Sequence, residues 1–334
     1  MKLHFSIIVP VFNRPNEVEE LLDSLSKQNF SKSFEVVIIE DGSTEKSDLI
    51  TDKYKDRLDI SYYFKANSGP GDSRNYGMKK AKGNYFLIFD SDCVIPSQYL
   101  TEVEVGLNKH YSDCFGGPDN AMDSFTPLQK AINYSMTSFL TTGGIRGKSE
   151  KLHKFQPRSF NMGISKKAFE TTNGFAQIHP GEDPDLTIRL WKAGFDTQLL
   201  PKAFVYHKRR ISWSKFKTQV NKFGQVRPIL DKWHPETAKL TYWFPSLFVS
   251  GFVIALVLAF FKCYIGLLAY TLYYLILFID SSIKNKSIYI GFLSLLAVTI
   301  QFYGYGLGFI KSKIKLAFSN KNPELLFPHL FFKK

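Results

Sequence analysis

Three cysteines in 334 residues, Cys93, Cys114 and Cys263, form no CxxC pair and no thiolate metal spacing, which argues against a disulfide framework and fits a reducing compartment. No segment repeats, and none is of low complexity. The opening "MKLHFSIIVPVFNRP" lacks the long apolar region of a secretory leader, because Pro10 interrupts it; it reads as a first strand. Acidic residues are in deficit. With 30 Asp and Glu against 43 Lys and Arg the formal charge is +13, so the expected partner is anionic: nucleic acid, a phosphorylated substrate or an acidic membrane surface. What abounds is phenylalanine, 31 residues with most of the excess late in the chain.

The first part of the chain alternates strand and helix. "FSIIVPVFN", "FEVVIIEDGS", "ISYYF" and "NYFLIFDSD" are apolar runs that mostly close on polar or turn residues, and "EVEELLDSLSKQ" sets Val18, Leu21, Leu22 and Leu25 at helical spacing. Runs apolar throughout, separated by helices such as "DSRNYGMKKAKG", predict an α/β fold with a mostly parallel sheet covered on both faces. Ligands in such sheets collect at the C-terminal strand ends, where "EDGS" and "DSD" fall.

Late in the chain the composition changes. "WFPSLFVSGFVIALVLAFF", "YIGLLAYTLYYLILFI" and "IYIGFLSLLAVTIQFYGYGLGFI" each approach the ~20 residues that cross a bilayer, the middle one at the short limit. The domains expected are a catalytic domain at 1–212, a basic amphipathic segment at 213–240, a transmembrane region of two or three helices at 241–311, and a basic aromatic tail at 312–334 suited to a membrane surface. In the amphipathic segment Trp213, Phe216, Val220 and Phe223 share a face flanked by Lys215, Lys217 and Lys222, the make-up of a helix in the headgroup layer; a helix packed on protein is the competing expectation. Three crossings would place Lys311, Lys313 and Lys315 outside, against the positive-inside tendency, so the number of crossings stays open.

Two carboxylates one residue apart on a strand end, Asp90 and Asp92, point to one side, and their burial without a partner would be costly; they predict a cation or a donor-rich ligand, with an Asp-rich turn as the alternative. Four stretches decide between them when taken together: "VPVFNRP", "IIEDGST", "NSGPGDSRNYGMKKAKG" and "DSD". In this order and spacing they resemble the family 2 inverting glycosyltransferases, whose nucleotide-binding half has the GT-A fold.

The resemblance implies roles residue by residue. Asp41 would hold the uracil of a nucleotide-sugar, with Pro10, Phe12 and Asn13 shaping the base pocket and Glu40 standing where the family usually has an aspartate. Arg74 and Asn75 would lie near the nucleotide, Asp90 would face ribose and metal, and Asp92 would be the main ligand of Mn2+ or Mg2+. Carboxylate and diphosphate oxygens suit such hard cations. His207 would complete the metal site, Arg209 and Arg210 would neutralise the diphosphate, and Asn161 would line the sugar pocket.

In "HPGEDPDLTIRLWKAGF" Pro184 suits the first helical position, which makes Asp183 the expected N-cap and Gly194 the stop. The "GED" followed by "DLTIRL" resembles the family's acceptor-side motif, which implies Asp183 as catalytic base and Glu182 as the residue orienting the acceptor sugar. A helix N-terminus is expected to keep Asp183 ionised.

The resulting expectation is a membrane-anchored, metal-dependent inverting glycosyltransferase that uses a nucleotide-sugar, a glycan or lipid-linked acceptor and membrane lipids, but no nucleic acid, with its catalytic domain in the cytoplasm, on a bacterial inner membrane. A nucleotidyltransferase is disfavoured because "IIVPVFNRP" carries no glycine to cradle a triphosphate. A polyprenyl-phosphate acceptor would need no base, and "GQVRPILDKW" lacks the QxxRW spacing of processive synthases. A catalytically silent membrane-bound nucleotide-sugar-binding protein would have no need of Asp90, Asp92 and Asp183 together.

Overall fold

Strand β1 (Phe5–Val11) runs parallel to β2 (Glu35–Asp41) on one side and to β4 (Tyr85–Phe89) on the other, and β3 (Asp59–Lys65) continues parallel beyond β2. Beyond β4 the sheet turns antiparallel. It continues through β8 (Asn161–Ser165) and β6 (Cys114–Gly116) and ends with β9 (Thr197–Leu199), again parallel to β6. A second small sheet joins β5 (Cys93–Val94), β10 (Val205–His207) and β7 (Asp119–Asn120). The computed structural model describes residues 2–120, 125–143, 155–207 and 212–332.

The period of two along each strand divides the core. Ile7, Val9, Val36, Ile38, Leu87 and Phe89 face one side, where Val18, Leu21, Leu22 and Leu25 of the Pro15–Leu25 helix cover them. Ile8, Val37, Ile39, Phe86 and Ile88 face the other, under Met78 of the Pro70–Lys80 helix and Leu186 and Leu190 of the Glu182–Lys192 helix. Each such side chain contributes about 1.5–3 kcal/mol of burial, so the parallel strands are fixed where their ends carry polar loops.

The chain divides into two units. Met1–Met122, Glu150–Lys208 and Phe331–Lys334 form the first; Asp123–Ser149 and Arg209–Leu330 form the second. Catalytic and helical parts are thus interleaved, unlike the single cut at 212 expected from composition. The second unit contains the helices Pro127–Thr137 and Trp213–Trp233 and three apolar helices spanning Leu240–Phe260, Ile265–Asn285 and Ile288–Ala317. All three are long and apolar enough to cross a membrane.

The expected headgroup-layer helix packs on protein instead. Trp213, Phe216, Val220 and Phe223 meet Ala131, Ile132 and Met136 of the Pro127–Thr137 helix and Ile290, Leu293 and Ala297 of the third apolar helix. An apolar face carries no mark of what will cover it, lipid or protein. Among the described residues of the expected tail, 312–332 do not form a separate membrane-surface segment either: the third helix continues to Ala317, Leu326, Phe327 and Leu330 are buried, and Phe331 forms a bridge with Ile178.

Candidate active site

The loops after β1 and β2 are stitched together. Asn13, at φ +53°, accepts at its side-chain oxygen from Thr44 N (2.8 Å) and Glu45 N (3.0 Å), while its own N–H donates to Ser43 Oγ (2.8 Å). Phe12 beside it is 52% exposed. Glu40 is fully buried: its carboxylate accepts from Ser43 Oγ, from Ser47 N (2.9 Å) and from Tyr62 OH (3.2 Å). It shapes the turn rather than facing a base. Asp41 accepts from Lys65 Nζ (2.5 Å), Ser68 N (2.9 Å) and Gly69 N (2.9 Å), so it holds the 65–69 loop against the strand end.

Asp90 and Asp92 follow β4, and the pairing of β10 with β5 sets His207 opposite Cys93. His207 Nε2 lies 3.1 Å from Asp92 Oδ1 and 4.0 Å from Asp90 Oδ2, its ring stacked on Phe160 at 4.8 Å. Octahedral donors ~2.1 Å from Mg2+ stand ~3.0 Å apart when adjacent and ~4.2 Å when opposite. The His207–Asp92 separation suits adjacent donors to a divalent cation, whereas Asp90 approaches His207 but stands outside the group Asp92, Cys93 and His207, whose donor atoms all lie within 4.8 Å of one another. Arg14 Nη1 donates to Asp92 Oδ2 (3.3 Å) and Arg74 Nη2 to Asp90 Oδ1 (2.7 Å). Cys93 Sγ lies close enough to join the cluster, but it is buried and donates to Phe160 O (3.5 Å). Burial, then the two aspartates, push its thiol well up, so it stays protonated.

The helix that carries Asp183 begins earlier than Pro184 predicts. Gly181, at φ +117°, is its N-cap, and a left-handed glycine lets the turn start at Glu182. Asp183 is therefore inside the first turn and not the cap, and Pro184 occupies a position whose missing N–H has no intrahelical partner to lose. Glu182 receives Arg74 Nη1 (3.3 Å) and lies 2.8 Å from His179 Nδ1. Burial opposes its charge, but His179 and Arg74 prevail and hold its carboxyl below the usual range. Glu182 thus anchors Arg74 from a buried position instead of presenting itself to a sugar.

Asp183 is different. Its Oδ2 accepts from Ser159 N (3.2 Å), and its Oδ1, shut away from solvent, has no hydrogen-bond partner among the described residues. Burial and then the Glu182 charge push its pKa up to about 6, against the lowering influence of Arg74, Arg158 and Ser159. The expected effect of the helix N-terminus is outweighed. At neutral pH the group is still ionised, yet its proton affinity is that of a usable base.

Three expected site residues serve the scaffold. Asn75 donates to Phe175 O and accepts from Phe175 N, both at 2.8 Å, which fixes the ring that lies 5.3 Å from the Arg74 guanidinium. Asn161 is fully buried, accepting from Tyr99 OH (2.6 Å) and donating to Ala203 O (2.9 Å), so it does not line a sugar pocket. Pro10 pairs with Ile39 inside the sheet, one register step before the loop. Arg209 and Arg210 lie outside the described residues.

The residues that sequence reasoning left unassigned are Arg14, His179 and Phe332. Arg14 directly follows Asn13 in the first loop, and His179 opens the "HPGED" stretch, so position alone was a usable signal. Phe332 had none: its ring fills the space beside Gly69 and lies 6.1 Å from His179.

Residues 6–172, half of the chain, match glycosyl transferase family 2. The poly(ribitol-phosphate) beta-N-acetylglucosaminyltransferase TarS of Staphylococcus aureus (strain Mu50) is 40% identical over 114 residues, 33% of this chain and 20% of that protein, so the chain spans about a fifth of that relative's length. The solved segment 1–349 of S. aureus TarS superposes with a TM-score of 0.50 at 21% identity, covering 93% of this chain and 92% of that one. A mannosyltransferase, PcManGT from Pyrobaculum calidifontis, solved in complex with GDP-Man and Mn2+, superposes with a TM-score of 0.59 at 15% identity over 92% and 88%. At these identities the likeness is one of fold, and the fold is of the GT-A type.

Proposed function

The chain belongs to glycosyl transferase family 2, and from that premise we propose that it moves a sugar from a UDP-sugar to a hydroxyl group of a glycan or lipid-linked saccharide, with inversion at the anomeric carbon. The observation that carries this reading is Asp183, a buried carboxylate with one oxygen unengaged and a pKa raised to about 6. A group of that kind takes the proton of the acceptor hydroxyl while the hydroxyl oxygen forms its bond to the anomeric carbon. The bond from that carbon to the diphosphate breaks on the opposite face, and UDP leaves with the electron pair.

Asp90, Asp92 and His207 would hold Mn2+ or Mg2+, which supplies positive charge to the departing diphosphate. Arg14 sits beside the same carboxylates, placed to exchange its hold on Asp92 for the nucleotide's phosphates. Arg209 and Arg210 are proposed to neutralise the same anion. Exposed Phe12 would serve as a wall for the base, and Asp41 and Asn13 would act by ordering the loops around it. Arg74 keeps Asp90 and Glu182 at a set spacing, so donor and acceptor ends are assembled by one guanidinium.

The name of the S. aureus relative makes UDP-GlcNAc the first donor to try and a poly(ribitol phosphate) the first acceptor. The apolar helices are read as the membrane anchor, and the catalytic unit as cytoplasmic, on a bacterial inner membrane. The test is incubation of the purified chain with UDP-GlcNAc and poly(ribitol phosphate), with Mn2+ or with EDTA, followed by NMR of the new linkage. A β-linked product that requires the metal supports the proposal. An α-linked product, or transfer undiminished by EDTA, refutes inversion or the metal respectively. Labelling of a Lys32→Cys variant by an impermeant reagent in intact cells would refute the cytoplasmic placement.

A further inference from the structure

Three apolar helices follow one another between Leu240 and Ala317, joined by the short turns Phe261–Tyr264 and Lys286–Ser287. Were all three to cross a bilayer, residues beyond the third would emerge opposite those before the first. The fold places the two together. Phe331 forms an antiparallel bridge with Ile178, and Phe332 N donates to Gln177 O (3.2 Å). The Phe332 ring occupies the space where a side chain on Gly69 would be, within 2.2 Å of an added Cβ, and Gly69 at φ +93° tolerates having none. Gly69, Gln177 and Ile178 all precede the apolar helices, so the number of crossings is even.

The covering of the helices identifies the odd one. In their most apolar windows 17% of the first and 11% of the second are buried, against 44% of the third. The first two turn Val253, Val257, Phe260, Leu268, Leu272 and Leu275 outward, and each, at 21 residues and ~1.5 Å per residue, matches the ~30 Å of hydrocarbon. The third is clasped by the Trp213–Trp233 helix. Gly224 abuts the Tyr305 backbone, Gly308 the Asn221 backbone, and Asn221 Nδ2 donates to Gly304 O (2.9 Å). Lys215 and Lys217 of the clasping helix are exposed, and Lys313 lies 3.6 Å from Asp231. A third crossing would draw these charges into hydrocarbon, where they are strongly disfavoured.

We infer that the Leu240–Phe260 and Ile265–Asn285 helices cross the bilayer as a hairpin, while the Ile288–Ala317 helix stays on the side of the catalytic unit. The inference rests on the membrane-anchored reading above. Its reporter is native: Cys263 is exposed in the turn of the hairpin, whereas Cys93 and Cys114 are buried. Single cysteines at Lys32 and Lys321, both exposed, are placed on a Cys263→Ser background and labelled with an impermeant maleimide before and after permeabilisation. Lys32→Cys and Lys321→Cys are expected to label from one side and wild-type Cys263 from the other. Labelling of Lys32→Cys and Lys321→Cys from opposite sides overturns the inference, as does labelling of Cys263 from the same side as both. Release of the wild-type chain from membranes by alkaline carbonate would instead refute the membrane reading, and this inference with it.

Discussion

The strand ends at Asp41, Asp90 and Asp92, proposed to face the donor, and the segment of Glu182 and Asp183, proposed to face the acceptor, carry the same chemical groups in opposite conditions. Asp41, Asp90 and Asp92 each meet a cationic side chain: Lys65, Arg74 and Arg14 in turn. In the second segment Glu182 is similarly held by Arg74 and His179, but the next residue, Asp183, keeps an unengaged oxygen and a raised proton affinity. Carboxylates that order loops or face a bound cation act through such ion pairs. A carboxylate that must accept a proton works best when burial brings its pKa toward neutrality. One residue separates the two conditions.

The largest test of this contrast is Asp92→Asn. An amide is a poor ligand for a hard cation, so transfer should be abolished and UDP should lose its Mn2+-dependent gain in affinity in calorimetry. Full transfer in this variant would remove the donor side from the comparison. Asp183→Asn comes next, with turnover falling ~10² or more. The amide oxygen can still accept the Ser159 N–H, so UDP affinity and the thermal midpoint should stay at wild-type values. Normal turnover would leave Asp183 a structural residue.

Glu182→Gln sharpens the contrast through pH. In the wild type, turnover should fall as pH drops through about 6, because protonated Asp183 cannot accept the acceptor's proton. Glu182 contributes, after burial, to raising that pKa, so its neutralisation should move the acidic limb to lower pH while turnover drops roughly 10- to 100-fold from the loosened Arg74. An unmoved limb would separate the two carboxylates electrostatically. The smallest effect on chemistry belongs to Asn161→Ala, which leaves Tyr99 OH and Ala203 O without their partner; stability should fall by ~1–3 kcal/mol, with turnover per folded molecule unchanged.

Strands β1 to β4 were legible because their runs are apolar and bounded by turns, whereas the approach of His207 to Asp92 and Asp90 was expected only through the resemblance. The start of the helix that carries Asp183 was not legible. A proline marks where a helix tolerates a missing N–H, a condition met by several positions of the first turn, while the left-handed Gly181 that begins it here reads in sequence as an ordinary loop glycine. Asn75 and Asn161 look like site residues in the chain, but their partners lie far off in sequence, at Phe175, Tyr99 and Ala203. Polar groups buried by tertiary contacts and polar groups that face a ligand have the same letter. The Trp213 helix shows the same limit for apolar residues.

Arg74 donates through separate nitrogens to Asp90 and to Glu182, and Asp183 feels its charge as well. Whatever reaches Asp90 therefore changes the share of that positive charge left for the other end. Linkage makes the effect mutual: a donor that alters the acceptor's affinity by some factor has its own affinity altered by the same factor. Saturation curves for one substrate, measured at several fixed concentrations of the other, should accordingly fail to share a common half-saturation point, and their displacement would measure in free energy how far one buried guanidinium makes two substrates aware of each other.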